Sequence, residues 1–120
     1  MDWVVVVDDE VINLKMAGTI LSKNNMRVTA LKSGTELLEY VKMNRPDLIL
    51  LDIKMPGLNG LETLKELNAR MSPSERIPVI FLTADESQDS EMKGLQLGAM
   101  DFIKKPFIPE ALVLRVRHMI

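Results

Sequence analysis

The chain has 120 residues, the length of one domain, and its 15 Lys and Arg against 17 Asp and Glu leave a net charge of −2. That balance argues against general electrostatic binding to nucleic acid or to anionic membranes. With no cysteine and a single histidine, disulfide frameworks, cysteine nucleophiles and multi-histidine metal sites are excluded. The first apolar run, Trp3–Val7, is too short for a signal peptide core or a membrane span, so we expect a cytoplasmic protein without membrane contact.

Five short apolar runs, rich in β-branched residues, are predicted to be strands. They alternate with longer stretches whose apolar residues lie three or four positions apart, as in helices. This alternation predicts an α/β fold with a doubly wound parallel sheet and helices on both faces. The predicted strands are Trp3–Val7, Met26–Leu31, Asp47–Leu51, Pro78–Leu82 and Asp101–Lys104.

The sequence predicts the boundaries of the second helix and the buried face of the first. The second begins at Ser33, whose spacing to Glu36 is typical of a capping box, and ends at Pro46. For the first helix, the spacing predicts a shared face made of Ile12, Met16, Ile20 and Leu21.

Polar side chains follow four of the five predicted strands at the point where each strand ends. They are Asp8 and Asp9, Asp52, Thr83 and Lys105. Because the carboxyl ends of parallel strands lie along one edge of a sheet, and ligands bind there, we expect these side chains to converge.

Most of these residues also have a purely structural interpretation. Asp8 or Asp9 could cap the first helix, Thr83 could cap a later one, and Lys105 could be solvated surface. Asp52 resists this interpretation, because the turn-forming residues after it leave no helix start to be capped.

Three converging carboxylates repel one another by about 4 kcal/mol per pair at 4 Å and an effective dielectric constant near 20. A raised pKa or a bound cation relieves such repulsion, and carboxylate oxygens suit Mg²⁺, which keeps positions open for phosphate oxygens. A hydroxyl and an ammonium facing the metal would complete a site for a phosphoryl group. The central carboxylate, Asp52, is then the natural nucleophile.

Over nearly its whole length the chain resembles the response-regulator receiver domains of two-component signalling. The family fold is a five-stranded parallel sheet in 2-1-3-4-5 order with five helices, the flavodoxin-like receiver fold. The resemblance is carried by Asp8-Asp9-Glu10, Leu51-Asp52-Ile53-Lys54-Met55-Pro56-Gly57 with Gly60, Leu82-Thr83-Ala84, Gly98-Ala99, and Asp101-Phe102-Ile103-Lys104-Lys105-Pro106-Phe107.

For the metal, the resemblance implies one Mg²⁺ held by side chains and one backbone group. Asp9 and Asp52 would bind it directly, Asp8 through a metal-bound water, and Lys54 through its main-chain carbonyl.

For the chemistry, the resemblance implies that Asp52 is phosphorylated, with Thr83 and Lys105 as its catalytic partners. Thr83 is also implied to be the switch hydroxyl and Phe102 the switch aromatic residue. The Lys105–Pro106 peptide is expected to be cis.

For partners, the resemblance implies a histidine kinase or a histidine phosphotransferase as the phosphoryl donor. The face made by the fourth helix, the fifth strand and the fifth helix is expected to meet an output domain or a downstream protein, or a second copy upon phosphorylation. Residues 1–120 are predicted to be one receiver domain without direct nucleic acid binding. It is either free-standing or cut from a longer protein with a C-terminal output domain.

Two further positions are predicted to tune the lifetime of the phosphoryl group. Lys54 and Asp85 each lie two residues beyond a site residue and carry opposite charges. In receiver domains these positions resemble gates on the attacking water. The simpler interpretation is an exposed pair pointing into solvent.

An alternative from another class is a Mg²⁺-dependent aspartyl-phosphate phosphatase. Such enzymes use a second acid two residues beyond the nucleophile, and Lys54 occupies that position after Asp52. A flavin- or nucleotide-binding module is disfavoured because no glycine-rich loop follows the first strand.

The fourth predicted helix, Ser87–Leu97, is locally weak. It opens with polar residues and holds Gly94 in its interior, which costs about 1 kcal/mol relative to alanine. It is predicted to end at Gly98, and the fifth helix to begin at Pro109. Weak local stability fits either a solvated helix or the element that moves on phosphorylation.

Overall fold

A computed structural model of the chain describes residues 1–84 and 88–120. Strands and helices alternate along these ranges as the sequence predicts. The strands are β1 (Trp3–Val7), β2 (Arg27–Leu31), β3 (Leu48–Asp52), β4 (Val79–Thr83) and β5 (Asp101–Lys104). The helices are α1 (Val11–Ser22), α2 (Gly34–Tyr40), α3 (Gly60–Arg70), α4 (Gln88–Gln96) and α5 (Pro109–Met119), with a short 3₁₀ turn at Pro73–Glu75.

The five strands form one parallel sheet in the order β2-β1-β3-β4-β5, which confirms the predicted doubly wound topology. The interior strands β3 and β4 are buried along their whole length. Their runs of Leu, Ile, Val and Phe are therefore explained by cover on both faces of the sheet.

Alternate residues of each strand enter two separate cores. Val4 and Val6 face a core shared with α1 and α5, whereas Val5 and Val7 face a core shared with α2 and α3. This follows from the two-residue period of a strand. The carboxyl edge between these layers is where the polar residues emerge.

The helix predictions are partly corrected. In α1, Ile12 is 64% exposed and Met16 37% exposed, whereas Leu14 and Ala17 are buried together with Leu21. The predicted face was wrong for Ile12 and Met16, because α1 is apolar on several sides and its sequence alone does not say which side meets the sheet.

The start of α2 is confirmed, but its end is not. The Ser33 hydroxyl accepts a hydrogen bond from the Glu36 backbone amide, while the Glu36 carboxylate accepts one from the amide of Lys32. The helix ends at Tyr40, well before Pro46, because the chain tightens there into turns bonded three residues apart.

The glycine stop after α4 and the proline start of α5 agree with the prediction, while Ser87, the predicted start of the fourth helix, lies outside the described residues. Gly98 follows α4 with φ +97°, a conformation that suits glycine, and the amide of Ala99 reaches back to the carbonyl of Gly94. Pro109 occupies the first turn of α5. Within residues 1–84 and 88–120, no helix has the length and apolar character needed to cross a membrane.

Candidate functional site

Adjacent strands bring Asp8 and Asp52 to the carboxyl edge of the sheet. Val7 of β1 pairs with Leu51 of β3, so the residue that follows each of them lies at the same level. Asp8 is fully buried and Asp52 is 3% exposed. Buried carboxylates of this kind require compensation by hydrogen bonds or by opposite charge.

Asp9 joins these two residues from the exposed side. One carboxylate oxygen from each of Asp8, Asp9 and Asp52 lies within 4.8 Å of the others. Asp8 does not cap α1 in the usual sense, since its carboxylate accepts a hydrogen bond of 3.0 Å from the amide of Glu10, the residue before the helix. The sequence prediction of three converging carboxylates therefore agrees with the geometry.

The turn after Asp52 is held in place by a close backbone approach at Gly60. The Gly60 amide donates a hydrogen bond of 2.8 Å to the Ile53 carbonyl. A Cβ atom at this position would lie 2.8 Å from the Ile53 Cα and would overlap the carbonyl oxygen of Asp52. Asn59, just before it, caps α3 in a reciprocal capping box with Glu62. Asp52 therefore sits on a tightly fixed loop.

Lys105 brings a positive charge into contact with both buried carboxylates. Its ammonium lies 3.1 Å from Asp8 Oδ2 and 3.1 Å from Asp52 Oδ1, and its side chain is 11% exposed. The backbone amide of Lys105 donates to the carbonyl of Thr83, which anchors the end of β5 to the end of β4. The Lys105–Pro106 peptide is cis.

Burial and the contacts within the cluster shift the pKa values of Asp52 and Lys105. Burial raises the pKa of Asp52 to about 6, against the lowering effect of its hydrogen bond to Lys105, and the charge of Asp8 adds to the rise. Burial alone would lower the pKa of Lys105, but the hydrogen bonds to Asp52 and Asp8 outweigh it, and the pKa is raised. The lysine therefore stays charged beside a carboxylate that titrates close to neutrality.

The fourth and fifth strands complete the edge. Thr83 ends β4 and is 7% exposed, and Phe102 lies half-buried in β5. The Phe102 ring packs on Phe81, with ring centroids 5.7 Å apart and planes inclined by 35°. These two phenylalanines pair in register across the strands, so the contact follows directly from strand pairing.

Most of the predicted site residues are thus brought to one edge. Lys54 lies exposed in the loop after β3, while Asp85 falls outside the described residues. Sequence reasoning missed Phe81, although its position two residues before Thr83 places both on one face of β4. It also missed the Lys105–Asp8 contact, since nothing in the local sequence joins residues from opposite ends of the chain.

The assembled site can hold a hard cation and an oxyanion side by side. Asp8, Asp9 and Asp52 offer carboxylate oxygens as ligands, Lys105 contributes an ammonium in contact with Asp8 and Asp52, and Thr83 contributes a hydroxyl at the end of β4.

Proteins of similar sequence are bacterial response regulators. The DNA-binding response regulator MtrA of Mycolicibacterium paratuberculosis is 37% identical over 114 residues, covering 95% of this chain and 49% of that protein. The response regulator MprA of Mycobacterium sp. (strain KMS) is 36% identical over 117 residues, covering 98% of this chain and 50% of that protein. The chain spans about half the length of these curated relatives.

Solved structures give the same result at the level of the fold. The chemotaxis protein CheY4 of Vibrio cholerae superposes with a TM-score of 0.92 at 28% identity, covering 100% of this chain and 99% of that chain. The receiver domain of the Francisella response regulator 1452 superposes with a TM-score of 0.89 at 31% identity, covering 99% and 96%. The family profile described as response regulator receiver domain matches residues 4–117. By sequence, fold and the arrangement of its carboxyl edge, the chain belongs to the response regulator receiver domains.

Proposed function

We propose that this receiver domain takes a phosphoryl group onto Asp52 from a histidine kinase or a histidine phosphotransferase, with Mg²⁺ as cofactor. The observation that carries the proposal is the position of Asp52. Its buried carboxylate contacts the Lys105 ammonium at 3.1 Å and lies within a cluster of three carboxylates. A carboxylate that contacts an ammonium and belongs to a cluster of potential cation ligands is well placed to attack phosphorus.

The donor set fits a magnesium ion. The carboxylates of Asp8, Asp9 and Asp52 supply hard oxygen ligands of the kind that Mg²⁺ prefers, and the carbonyl of Lys54 is a fourth proposed ligand. When bound, Mg²⁺ supplies charge neutralisation for the carboxylates and for the oxygens of the incoming phosphoryl group.

The chain's own residues carry the transfer. An Asp52 carboxylate oxygen forms the new bond to phosphorus, while the phosphorus–nitrogen bond of the donor phosphohistidine breaks and the imidazole leaves. With a pKa of about 6, Asp52 is mostly ionised, and hence nucleophilic, at neutral pH. Lys105, already hydrogen-bonded to Asp52, pairs with a phosphoryl oxygen.

The output of the domain follows from the hydroxyl and the ring beside the site. A phosphoryl group on Asp52 offers new acceptor oxygens to the Thr83 hydroxyl, and movement of Thr83 frees space beneath Phe102. The equilibrium between ring positions then shifts, which alters the face made by α4, β5 and α5. We propose that this face regulates an output domain or a downstream protein in the cytoplasm, or pairs with a second copy, and that the phosphoryl group is lost slowly.

Intact mass spectrometry tests the phosphorylation. With Mg²⁺ and a small acyl phosphate donor, the wild-type protein is expected to gain one phosphoryl adduct that is labile to hydroxylamine. Asp52→Ala should gain none. Asp47→Asn is the matched control, because Asp47 is an exposed acid that directly precedes the N-terminal end of β3. This variant should be phosphorylated like the wild type. An adduct that persists in Asp52→Ala would exclude Asp52 as the nucleophile.

The same preparation distinguishes the switch from a phosphatase. A receiver domain is modified once and resets slowly, whereas a phosphatase turns over small phosphomonoesters continuously. Multiple turnover of a phosphomonoester by the wild type, abolished in Asp52→Ala, would favour the phosphatase.

Replacement of the hydroxyl tests the switch itself. Thr83→Ala should be phosphorylated but should transmit less than half of the wild-type change in chemical shift to Phe102. An equal response in both proteins would show that the Thr83 hydroxyl is not the coupling group.

A further inference from the structure

The helix α4 approaches the sheet unusually closely at Gly94. A Cβ atom added at this position would lie 2.8 Å from Cζ of Phe102, and 2.9 and 3.0 Å from Cε2 and Cδ2 of Phe81. Real Cβ contacts are longer, so the backbone of α4 rests directly on both rings. Gly94 is therefore not simply a weak point of the helix, because any side chain there would separate α4 from the aromatic pair.

The rings of Phe81 and Phe102 differ in how easily they can move. Phe81 is fully buried in the interior strand β4, whereas Phe102 is half-buried in the edge strand β5. A group pressing on both rings is therefore accommodated by the Phe102 ring or by α4, and not by Phe81.

The C-terminal end of α4 is fastened independently of the rings. The Asn68 side-chain amide of α3 donates a hydrogen bond of 2.7 Å to the Leu97 carbonyl just after α4, and the Met100 amide donates one of 2.8 Å to the Val79 carbonyl of β4. With this end fastened, pressure at Gly94 is relieved most easily by a tilt of the helix about its C-terminal end.

The side chains of α4 between Glu91 and Gln96 bury little surface. From Glu91 to Gln96 every residue except Gly94 is exposed, including Met92 at 62% and Leu95 at 53%. Between Glu91 and Gln96, the buried contact of α4 with the sheet is therefore the backbone of Gly94. This backbone lies against the Phe102 ring, which moves upon phosphorylation in the proposed function.

We propose that Gly94 is a positioning residue through which the location of the Phe102 ring sets the position of α4. This inference rests on the proposed function, because the ring responds to phosphorylation of Asp52. With glycine, α4 settles onto the sheet and follows the ring when it moves. With any larger residue, α4 is held away from the rings whatever the state of Asp52, and the link is broken.

Hydrogen exchange of the amides of residues 91–97, before and after treatment with acyl phosphate and Mg²⁺, tests the inference. Alanine is the better helix former, so helix propensity alone predicts slower exchange in Gly94→Ala. The contact with the rings predicts the opposite, namely faster exchange by about tenfold in the unmodified protein, the effect of a modest shift in the local opening equilibrium. The change on phosphorylation should fall below half of the wild-type change, with the same adduct on Asp52.

Two further variants define the cause. Gly94→Ala combined with Phe102→Leu removes the Cζ atom that the new methyl group would meet but keeps the contact with Phe81, so in the unmodified protein it should slow exchange part of the way back toward the wild-type rate. This double variant also serves if Gly94→Ala alone does not fold. Gln96→Ala, at an exposed position of the same helix, is the matched control and should leave both the exchange and its response at wild-type values.

The outcomes separate the inference from the proposed function. Absence of an adduct in the wild type rejects the proposed function and the coupling with it. A normal adduct together with slower exchange, or with an undiminished response in Gly94→Ala, rejects the inference alone. A double variant that exchanges as fast as Gly94→Ala alone likewise overturns it.

Discussion

The helices α3 and α4 are neighbours in the chain and lie on the same side of the sheet, but they are attached to it in different ways. α3 begins with a reciprocal capping box at Asn59 and buries the side chains of Thr63, Leu64 and Leu67. From Glu91 to Gln96, α4 buries a glycine and exposes every side chain.

The difference separates the part of the site that must stay fixed from the part that can respond. Burial of one leucine contributes about 1.5–3 kcal/mol, so α3 and the Asp52 loop packed before it are held firmly. Between Glu91 and Gln96, α4 has no comparable side-chain burial, and its backbone at Gly94 lies directly against two rings. Elements that move in a switch are drawn from the weakly attached parts of a fold.

The largest expected effect comes from the buried face of α3. Leu64→Ala should lower the free energy of unfolding by about 2–5 kcal/mol, because it leaves a cavity beside the sheet. Leu95→Ala in α4 should change it by less than about 0.5 kcal/mol, since Leu95 is 53% exposed. Urea unfolding of the two variants measures both values. Equal losses of unfolding free energy in the two variants would show that α3 and α4 do not differ in their attachment to the sheet.

The next effect concerns the fixed part of the site. If Mg²⁺ binds the carboxylate cluster as proposed, it stabilises the folded protein and not the unfolded chain, in which these carboxylates are dispersed. At a concentration of one hundred times its Kd it should therefore raise the free energy of unfolding by about 2.7 kcal/mol. Asp52→Asn should reduce this gain, whereas Asp47→Asn should retain it. A thermal unfolding midpoint that is indifferent to Mg²⁺ at neutral pH would contradict the proposed metal site.

The metal-free protein should show the cost of burying Asp52. Its pKa of about 6 in the folded protein lies above the ordinary value of 3.8, so between about pH 4 and pH 6 the folded state binds more protons than the unfolded state. The contribution of this group to stability is therefore fully present below pH 4 and is lost as the pH rises through 6.

Asp52→Asn lacks this titration and is the matched variant. Urea unfolding in a chelator should show wild type losing stability relative to Asp52→Asn between pH 4 and pH 6. Parallel pH profiles of the two proteins would mean that Asp52 is not held with a raised pKa.

The smallest expected effect concerns the two positions that the sequence predicts to tune the lifetime of the phosphoryl group. Lys54→Ala and Asp85→Ala should each speed the loss of the phosphoryl group about fivefold, which corresponds to about 1 kcal/mol in the barrier. The double variant should add little to either single one. Decay of the phosphoprotein after donor removal, at fixed Mg²⁺, is the measurement, and slower decay in either single variant would contradict a joint role.

The fold could be predicted from the sequence because strand and helix periods alternate without ambiguity. The buried runs in β1, β3 and β4 fixed the strands to within one residue, and the strand order followed from the family resemblance. The face of α1 could not be predicted, since Ile12 and Leu14 are equally apolar and only the position of the sheet distinguishes them.

The site was predictable where its residues follow strands, and not where it depends on contacts across the fold. Asp8, Asp9 and Asp52 meet because parallel strands share an edge, a rule that sequence position alone can apply. The close approach at Gly94 could not be predicted, because the cost of glycine to helix propensity is local while the two rings it meets lie on β4 and β5.

The ion pair between Lys105 and Asp8 joins residues 97 positions apart in the chain. The pairing of β1 with β3 brings Asp8 and Asp52 to the same level without any strand from the segment that carries Lys105. The two buried acids acquire this counter-charge when β5 docks against β4, almost at the end of the domain. The assembly of the proposed phosphorylation site is in this way tied to the docking of β5, since a chain without a docked β5 presents the acids without their lysine.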